Sequence, residues 1–380
     1  MFASTLVALS VMLAPPQLHA RLTASTYPQT ILADSPLMYY RLGEASGTAA
    51  VDASPNARNG TYQGGTTLGV SGAIPGDSDT ALKLDGGSGI VALPSSPASV
   101  TGSFTVEAWV NPTDTGTRAI FGSRGPNDAS FDLKLMNGNL IRADVGDGSS
   151  WLATNADTAV SYTPGIWHLI DFTVTPGTYQ VYMDGALVGG SSLPTGTPLL
   201  WDANHSPRFG SSGSSVGEYF SGSMDETAIY PTALSGAQVA GHFTASGITT
   251  PTAPGSVTAT ASANAATVTW TASTASVPAG CTAVQRYIVT AYKGTTAVNA
   301  VAVDATATSA VLSGLQGGVA YTFKVSGVNA YGVGTPGTSA AVTPTGTAST
   351  YASTVLGDTP SVYYRLDDPS GGVAADSSGH

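Results

Sequence analysis

Apolar and polar residues alternate along most of the chain with the two-residue period of β-strands. Residues 104–110 (FTVEAWV) place Phe, Val and Ala on one face and Thr, Glu and Trp on the other. Residues 167–174 and 179–183 are two further candidate strands, and Asp184-Gly185 then supplies a favoured hairpin turn. The pattern predicts many short strands joined by tight turns.

One segment favours a helix. Ser235 and Gln238 have the spacing of a capping box, in which each side chain bonds the backbone amide of the other residue. This spacing predicts a short helix that ends near Phe243. Many strands and a single helix over residues 35–246 predict an all-β fold, specifically an antiparallel jelly-roll β-sandwich.

An internal repeat indicates how the chain is organised. Residues 27–56 and 351–380 align without gaps and are identical at 14 of 30 positions, including a shared Tyr-Tyr-Arg-Leu string. A first strand alone cannot bury its apolar face. Residues 351–380 are therefore predicted to be the truncated start of a second copy of the first domain, in a longer array.

Two Thr- and Pro-rich segments, residues 248–254 and 346–350, are predicted to be extended linkers. They separate a first domain over residues 27–247 from a second domain over residues 255–345, in which Val, Thr and Ala alternate more regularly. The chain is thus expected to hold two complete domains and part of a third.

The N-terminal residues indicate export. Residues 5–14 (TLVALSVMLA) form an apolar run of signal-peptide length, and Ala20 follows where a cleavage site fits, although no Lys or Arg precedes the run. We therefore predict a signal peptide over residues 1–20 and a secreted, extracellular protein. The run is shorter than the ~20 residues that cross a bilayer, so no transmembrane segment is predicted.

Composition narrows the range of partners. The net charge is −11 with only 13 Lys and Arg residues, which argues against a phosphate-binding surface, so nucleic acid is not expected as a partner. Cys281 is the single cysteine, which excludes an intrachain disulfide and any Cys-based zinc or redox motif. The sequence predicts nothing about the oligomeric state.

Five strings in order give the first domain a family resemblance. It resembles the laminin G-like, concanavalin A-like lectin/glucanase family through residues 39–42 (YYRL), 79–86 (DTALKLDG), 104–110 (FTVEAWV), 167–185 and 220–230 (FSGSMDETAIY). The resemblance implies two packed antiparallel sheets, frequently a structural calcium ion, and binding or adhesion in secreted multidomain proteins.

The second domain resembles a fibronectin type III domain, which is an immunoglobulin-like β-sandwich. Residues 268–270 (VTW) match the strand with the buried Trp of that family, and residues 287–292 match its third strand. Tyr321 matches the tyrosine corner, whose hydroxyl bonds back to upstream backbone. The resemblance implies a spacer or presentation domain, and no Arg-Gly-Asp string supports integrin-type adhesion.

Catalysis is disfavoured. Retaining glycosidases need two carboxylates about 5–5.5 Å apart, and the glucanases of this fold supply them from a Glu-x-Asp-x-x-Glu strand. The four glutamates, Glu44, Glu107, Glu218 and Glu226, all lack that pattern. Motifs of serine hydrolases, zinc proteases, P-loops and EF-hands are also absent from the sequence. We predict that the residues present are not an enzyme.

One structural calcium ion is the cofactor that the sequence favours. Calcium prefers six to eight oxygen ligands. A jelly roll places its first and last strands side by side, which would bring Glu44 and Asp52 near Asp225. We predict that some of these three residues hold the ion; the alternative is that Asp52 caps a turn and Asp225 lies at a bulge.

Aromatic residues in loops are the candidates for carbohydrate binding, because their rings stack on the apolar faces of sugars. Trp151, Trp201 and Tyr219 are such candidates, and the alternative is that each packs locally. We predict a non-catalytic extracellular recognition or adhesion array that binds an extracellular or cell-surface glycan. Two alternatives remain: an accessory binding portion of a secreted polysaccharide-degrading enzyme, and a structural surface or phage-fibre stalk.

Overall fold

The computed structural model of this chain describes residues 26–95, 97–125, 129–214, 217–346, 355–356, 358–364 and 376–378. The signal peptide predicted over residues 1–20 and most of the linker predicted over residues 346–350 lie outside the described residues. Within the described residues, no helix has the length and apolar character needed to cross a membrane.

The first domain is built almost entirely of strands. Its elements are α1 (Tyr27–Ala33), β1 (Met38–Tyr40), β2 (Ala49–Ala50), β3 (Gly60–Gln63), β4 (Thr66–Ser71), β5 (Thr80–Asp85), β6 (Ile90–Ala92), β7 (Val100–Thr101), β8 (Phe104–Pro112), β9 (Arg118–Gly122), β10 (Phe131–Met136), β11 (Leu140–Gly146), β12 (Trp151–Ala159), β13 (His168–Thr175), β14 (Thr178–Met183), β15 (Ala186–Ser192), β16 (Leu199–Trp201), β17 (Arg208–Phe209), β18 (Ser221–Tyr230) and α2 (Gly236–Ala245).

The strands form two antiparallel sheets that pack face to face. Sheet I has the order β15-β14-β13-β8-β18-β5-β4, with β1 also paired to β18. Sheet II has the order β12-β11-β10-β9-β17-β6-β3-β2. The first and last strands therefore lie side by side, and the prediction of an all-β jelly roll is confirmed.

Alternation in the sequence explains both faces of sheet I. Phe104 and Val106 of β8 point into the apolar core between the sheets, as the alternation predicts. Glu107 and Trp109 point to the other face, which is buried as well because α1 and α2 cover it. The first domain thus has a helix layer, sheet I, the core, and sheet II, whose outer face is polar.

The capping box predicts one helix, and the described residues of the first domain contain two. The capping box of α2 forms as expected: the Gln238 amide donates to the Ser235 hydroxyl (3.3 Å), and the Ser235 amide donates to Gln238 Oε1 (3.0 Å). Apolar periodicity does not predict α1, which has seven residues, includes β-formers and has no side-chain cap. It forms because Tyr27 and Ile31 are fully buried under it.

The second domain is a smaller sandwich. Its strands are β19 (Gly255–Ser262), β20 (Ala265–Thr271), β21 (Arg286–Lys293), β22 (Thr296–Asp304), β23 (Ser309–Ser313), β24 (Thr322–Asn329), β25 (Gly332–Val333) and β26 (Gly337–Thr338). Trp270 packs against Tyr287 in its core. The Gln316 amide donates to the Tyr321 hydroxyl (3.1 Å), so the predicted tyrosine corner is present.

The two domains contact each other directly. The Tyr331 hydroxyl donates to the Trp167 carbonyl (3.0 Å), and its ring packs near Phe243 of α2. The segment predicted as a linker is also bonded to the second domain, since the Thr252 amide donates to the Thr274 carbonyl (2.7 Å). The connection is therefore extended but held along its length.

Candidate functional site

The outer face of sheet II carries a cluster of charged side chains. In β10 (FDLKLM), Phe131, Leu133 and Leu135 point into the core, so Asp132 and Lys134 between them must point outward. Asp144 of β11 lies directly opposite Asp132 in the strand register, and Arg124 and Glu218 reach the same place from loops. We call these five residues, Arg124, Asp132, Lys134, Asp144 and Glu218, the polar face.

Lys134 is at the centre of the polar face. Its Nζ lies 3.1 Å from Asp132 Oδ2, 3.0 Å from Glu218 Oε2 and 3.5 Å from Asp144 Oδ2. Arg124 Nη1 lies 3.0 Å from the same Asp132 oxygen. Two cations therefore hold three carboxylates in a connected network.

Two glycines, one in strand β9 and one in the loop after β17, let this loop lie close against sheet II. A Cβ on Gly122 would meet the Ser212 carbonyl oxygen at 2.0 Å, and one on Gly213 would meet the Arg124 carbonyl oxygen at 2.0 Å. The loop is fixed by the Arg124 amide, which donates to the Ser212 carbonyl (3.1 Å). This close approach brings Glu218 to the polar face.

The polar face has a buried layer and an accessible layer. The Asp132 side chain is fully buried and that of Lys134 is 5% exposed, whereas those of Arg124 and Glu218 are 25% and 31% exposed. Trp151, the first residue of β12, is half-buried, and its ring centroid lies 4.9 Å from the Arg124 guanidinium carbon. A ligand would reach Arg124, Glu218 and Trp151, and the buried pair would hold them in place.

Burial and neighbouring charges change the acidity of these groups. Burial, reinforced by the charge of Asp144, raises the pKa of Asp132 to about 6 in spite of Lys134 and Arg124. Burial would also raise the pKa of Glu218, but bonds from Ser212 and Lys134 hold that pKa below its usual value. The buried Asp132 thus holds its proton more readily than the accessible Glu218 does.

Some hydrogen-bonding capacity of this region is unused. Among the described residues, Asp132 Oδ1 and the Nε atoms of Arg124 and Arg208 are buried without a hydrogen-bond partner. Buried polar atoms are nearly always paired with protein or ordered water. Unpaired donors and an unpaired acceptor in one region are therefore typical of a place where water or a ligand completes the bonding.

Two of the three aromatic candidates lie near this region. Trp151 belongs to the accessible layer, and Tyr219 is half-buried on the same loop as Glu218. Trp201 does not fit the prediction, since it is fully buried in the core and its Nε1 donates to the Pro97 carbonyl (3.1 Å). The sequence predicts that Trp201 lies in a loop, but it belongs to strand β16, which pairs with β7. This pairing directs the Trp201 ring into the core.

The sequence did not single out the polar face as a site. Its members are spread over residues 124–218, and only their position in the sheets brings them together. A weak signal exists in β10, where two opposite charges alternate with apolar residues that are all buried. Such charges must lie on one outer face and contact each other or a ligand.

The predicted calcium ligands are placed in two different environments. Asp52 is buried in a turn, where its carboxylate accepts bonds from the amides of Tyr39 (2.9 Å), Ser54 (2.9 Å) and Arg58 (2.7 Å). The repeat reproduces this turn, because Asp376 accepts from the Tyr363 amide at the same 2.9 Å. This arrangement is that of the turn-capping alternative.

Asp225 lies at a bulge of β18, as the same alternative states, but it also belongs to an acidic cluster. Arg41 Nη2 lies 2.8 Å from Asp77, 3.0 Å from Asp79 and 3.0 Å from Glu226. Burial and the charge of Glu226 raise the pKa of Asp225 well above its usual value. One guanidinium therefore faces several carboxylates.

Part of this cluster has the chemistry that calcium requires. Asp225 Oδ2 accepts from the Ala73 amide (2.7 Å), while Oδ1 is buried without a partner among the described residues. Glu44, which accepts from the Val51 amide (2.8 Å), contributes a charge that raises the pKa of Asp79. Asp225 therefore keeps one buried oxygen free for a ligand, whereas the Asp52 carboxylate is already used by backbone amides.

Two other places are less suited to a polar ligand. A shallow groove of about 460 Å³ beside β14 and β15 is lined by Tyr179, Leu187, Val188 and uncharged neighbours. Glu107, one of the four glutamates, is fully buried beneath the helices and has no open path to a polysaccharide.

Comparisons with known proteins match this architecture. The family model "Concanavalin A-like lectin/glucanases superfamily" matches residues 85–240, and the model "Fibronectin type III domain" matches residues 252–344. The chain contains a concanavalin A-like domain followed by a fibronectin type III domain. No curated protein sequence matches it significantly. The polar face lies entirely within the matched part of the concanavalin A-like domain.

Solved structures similar to this chain include domain 4 of an extracellular arabinanase from Geobacillus stearothermophilus, in complex with arabinotriose, at 24% identity and TM-score 0.40 over 55% of this chain and 98% of that chain. A Trypanosoma rangeli sialidase mutant has 15% identity and TM-score 0.42 over 57% of this chain and 35% of that chain. The receptor-binding domain of botulinum neurotoxin D has 12% identity and TM-score 0.46 over 77% of this chain and 73% of that chain.

Proposed function

We propose that this chain is a non-catalytic, extracellular recognition module that binds a glycan on the polar face of its concanavalin A-like domain. The observation that carries the proposal is the half-exposed Trp151 ring beside Arg124 and Glu218, above a buried ion-pair network. A sugar has apolar ring faces and many hydroxyls. A fixed aromatic ring with charged hydrogen-bonding groups beside it matches both features.

The network favours binding over hydrolysis. A retaining glycosidase needs one carboxyl that gives up a proton to the leaving group, and that group must touch the substrate. Asp132, whose pKa is raised, is fully buried, and the accessible Glu218 is paired with Lys134 and has a lowered pKa. These observations support a recognition role for the carboxylates.

A glycan array followed by calorimetry tests the proposal. We expect Trp151→Ala to weaken binding of the best glycan by about tenfold, because a stacked aromatic contact contributes up to about 1.5 kcal/mol. Tyr292→Ala is a matched control, since Tyr292 is also half-buried beneath a cation, Lys324, but lies in the fibronectin type III domain. Equal affinities of the two variants, or no glycan bound at all, would exclude the polar face as a glycan-binding site. Either result would favour the alternative of a structural surface or phage-fibre stalk.

A change of pH provides an independent test of the buried layer. Asp132 has a pKa of about 6 when folded and 3.8 as its ordinary value, so between these pH values the folded chain binds more protons than the unfolded chain. Its contribution therefore makes the free energy of unfolding fall as pH rises from about 4 to 6, by up to about 1.4 kcal/mol per unit, and then level off. Urea unfolding of Asp132→Asn at each pH should lack this slope; an unchanged slope would contradict the assignment.

We also propose that one calcium ion binds between Glu44, Asp79 and Asp225. The support is the unpartnered, buried Asp225 oxygen among carboxylates that outnumber the nearby guanidinium. Calcium titration of the full chain should give heat and raise the melting temperature, and Asp225→Asn should abolish both effects. Asp52→Asn should lower stability but keep the calcium response. A wild-type chain that gives neither heat nor a melting shift would rule out the ion.

A further inference from the structure

A second cluster of titratable side chains lies under the helices, on the opposite side of the sandwich from the polar face. Glu107 of β8 and Asp171 of β13 are direct partners in the strand register. His242 of α2 lies above them, and all three residues are buried. One ligand atom from each of the three lies within 4.8 Å of the others.

The histidine is held from both sides. Its Nδ1 lies 2.6 Å from Glu107 Oε2, and its Nε2 lies 2.9 Å from Asp34 Oδ2, at the end of α1. The Tyr27 hydroxyl donates to the other Glu107 oxygen (3.2 Å). Glu107 and His242 are thus oriented by neighbours on every side except the one that faces Asp171.

Asp171 is the unexplained member of the cluster. Its side chain is fully buried, and neither carboxylate oxygen has a hydrogen-bond partner among the described residues. Its charged neighbour is Glu107, another carboxylate, which lies directly opposite it in the adjacent strand. No ion pair joins Glu107 or Asp171 to a Lys or Arg in the described part of the chain.

We propose that a divalent zinc ion binds between Glu107, Asp171 and His242. Two carboxylates and a dication give a neutral buried group, which removes the cost of two adjacent negative charges in the interior. One imidazole nitrogen and two carboxylate oxygens are suitable ligands for zinc, whereas calcium would require more oxygens than this place provides.

Asp34 completes the arrangement as the residue that orients the histidine. A metal-bound histidine commonly donates its other ring N–H to a carboxylate, which fixes the tautomer and aims the free nitrogen at the ion. When the Nε2–H of His242 donates a hydrogen bond to Asp34, the lone pair on Nδ1 points at Glu107. Entry of the ion widens the 2.6 Å contact, because two atoms that each lie about 2.0–2.1 Å from zinc are more than 2.6 Å apart in tetrahedral coordination.

The ion would join three parts of the domain. Its ligands come from the two adjacent strands β8 and β13 and from helix α2, and Asp34 links the site to helix α1. Because the three ligands are buried, the ion enters as the domain folds and not afterwards. Its role is structural, and this inference does not depend on glycan binding.

The test is to unfold the full chain in a chelator and refold it with or without added zinc. We expect one tightly bound zinc per chain by elemental analysis, and a melting temperature about 5–10 °C higher than that of the zinc-free chain when zinc exceeds its dissociation constant 100-fold. Refolding with cobalt should give the visible absorption of a four-coordinate cobalt site. Absence of stoichiometric metal after refolding with zinc would overturn the proposal.

Variants separate this site from adventitious binding. Asp171→Asn keeps the shape of the side chain and removes a buried charge, so we expect it to fold and to lose both the zinc and the melting shift. Asp225→Asn, in the acidic cluster of the neighbouring strand β18, should retain both. Zinc that stays bound to Asp171→Asn would overturn the assignment. If that variant does not fold, the metal content and the cobalt spectrum of the wild-type chain still decide whether the zinc site exists.

Discussion

Replacing Lys134 by methionine is expected to lower the free energy of unfolding of the first domain by about 3–5 kcal/mol. Lys134 Nζ is the shared partner of Asp132, Asp144 and Glu218, and the first of these carboxylates is fully buried. Methionine keeps the length of the side chain but leaves the buried carboxylate with Arg124 alone. Urea unfolding followed by tryptophan fluorescence measures the change, since four of the five tryptophans belong to this domain.

Lys83→Met provides the matched control. Lys83 lies in β5 of sheet I with its side chain exposed, and substitutions of that kind change stability by about 0.5 kcal/mol or less. Glycan binding should be weakened in Lys134→Met at temperatures where the variant is still folded, because Glu218 is then held by Ser212 alone. Two variants of similar stability would mean that the network contributes nothing to the fold, and the polar face would lose its supporting layer.

The parts of the fold that could be predicted are those determined by near neighbours along the chain. The turn at Asp184-Gly185 needs two residues with positive φ, and the structure has φ values of 53° and 77° there. The capping box of α2 and the alternation in β8 depend on residues within a few positions of each other. Each of these predictions is confirmed because the physical cause is local.

The parts that could not be predicted depend on contacts between distant residues. Trp201 looks like a loop residue until β16 is seen to pair with β7, about 100 positions away. The helix α1 has no cap and exists because Tyr27 is buried against sheet I, where its hydroxyl bonds Glu107. The polar face and the cluster of Glu107, Asp171 and His242 need the strand order itself, which periodicity does not contain.

A common signal nevertheless links the three charged clusters. In a chain with only 10% charged residues, Lys134, Asp171 and Glu226 each lie inside a strand and are each flanked by buried residues. A charge at such a position is costly unless a partner neutralises it. In each case the structure places a titratable or oppositely charged group beside it. Isolated charges within apolar strands are therefore the best sequence markers for functional clusters in this chain.

Deletion of residues 27–56 is expected to unfold the first domain, whereas replacement of this segment by the sequence of residues 351–380 is expected to leave it folded. The segment buries Ile31, Met38 and Leu42, which the rest of the domain cannot replace. Five side chains that bond beyond the segment are identical in the repeat: Tyr27, Asp34, Tyr39, Tyr40 and Arg41 correspond to Tyr351, Asp358, Tyr363, Tyr364 and Arg365. Glu44, which bonds Tyr62, is replaced by the shorter Asp368.

The exchange should still cost stability, because Ile31 and Met38 become valine and each loses buried volume. Gly43 also becomes aspartate, and its Cβ would meet Asp79 Oδ1 at 1.7 Å unless that side chain moves. We expect a loss of about 2–4 kcal/mol in urea unfolding, with the cooperative transition retained. A second exchange, in which the residues at positions 34 and 41 are also changed to alanine, is the control. It should be less stable than the first exchange, because His242 and Glu226 each lose one charged partner. If the first exchange fails to fold as well, residues 351–380 do not encode a second copy of this segment, and the repeat has another origin.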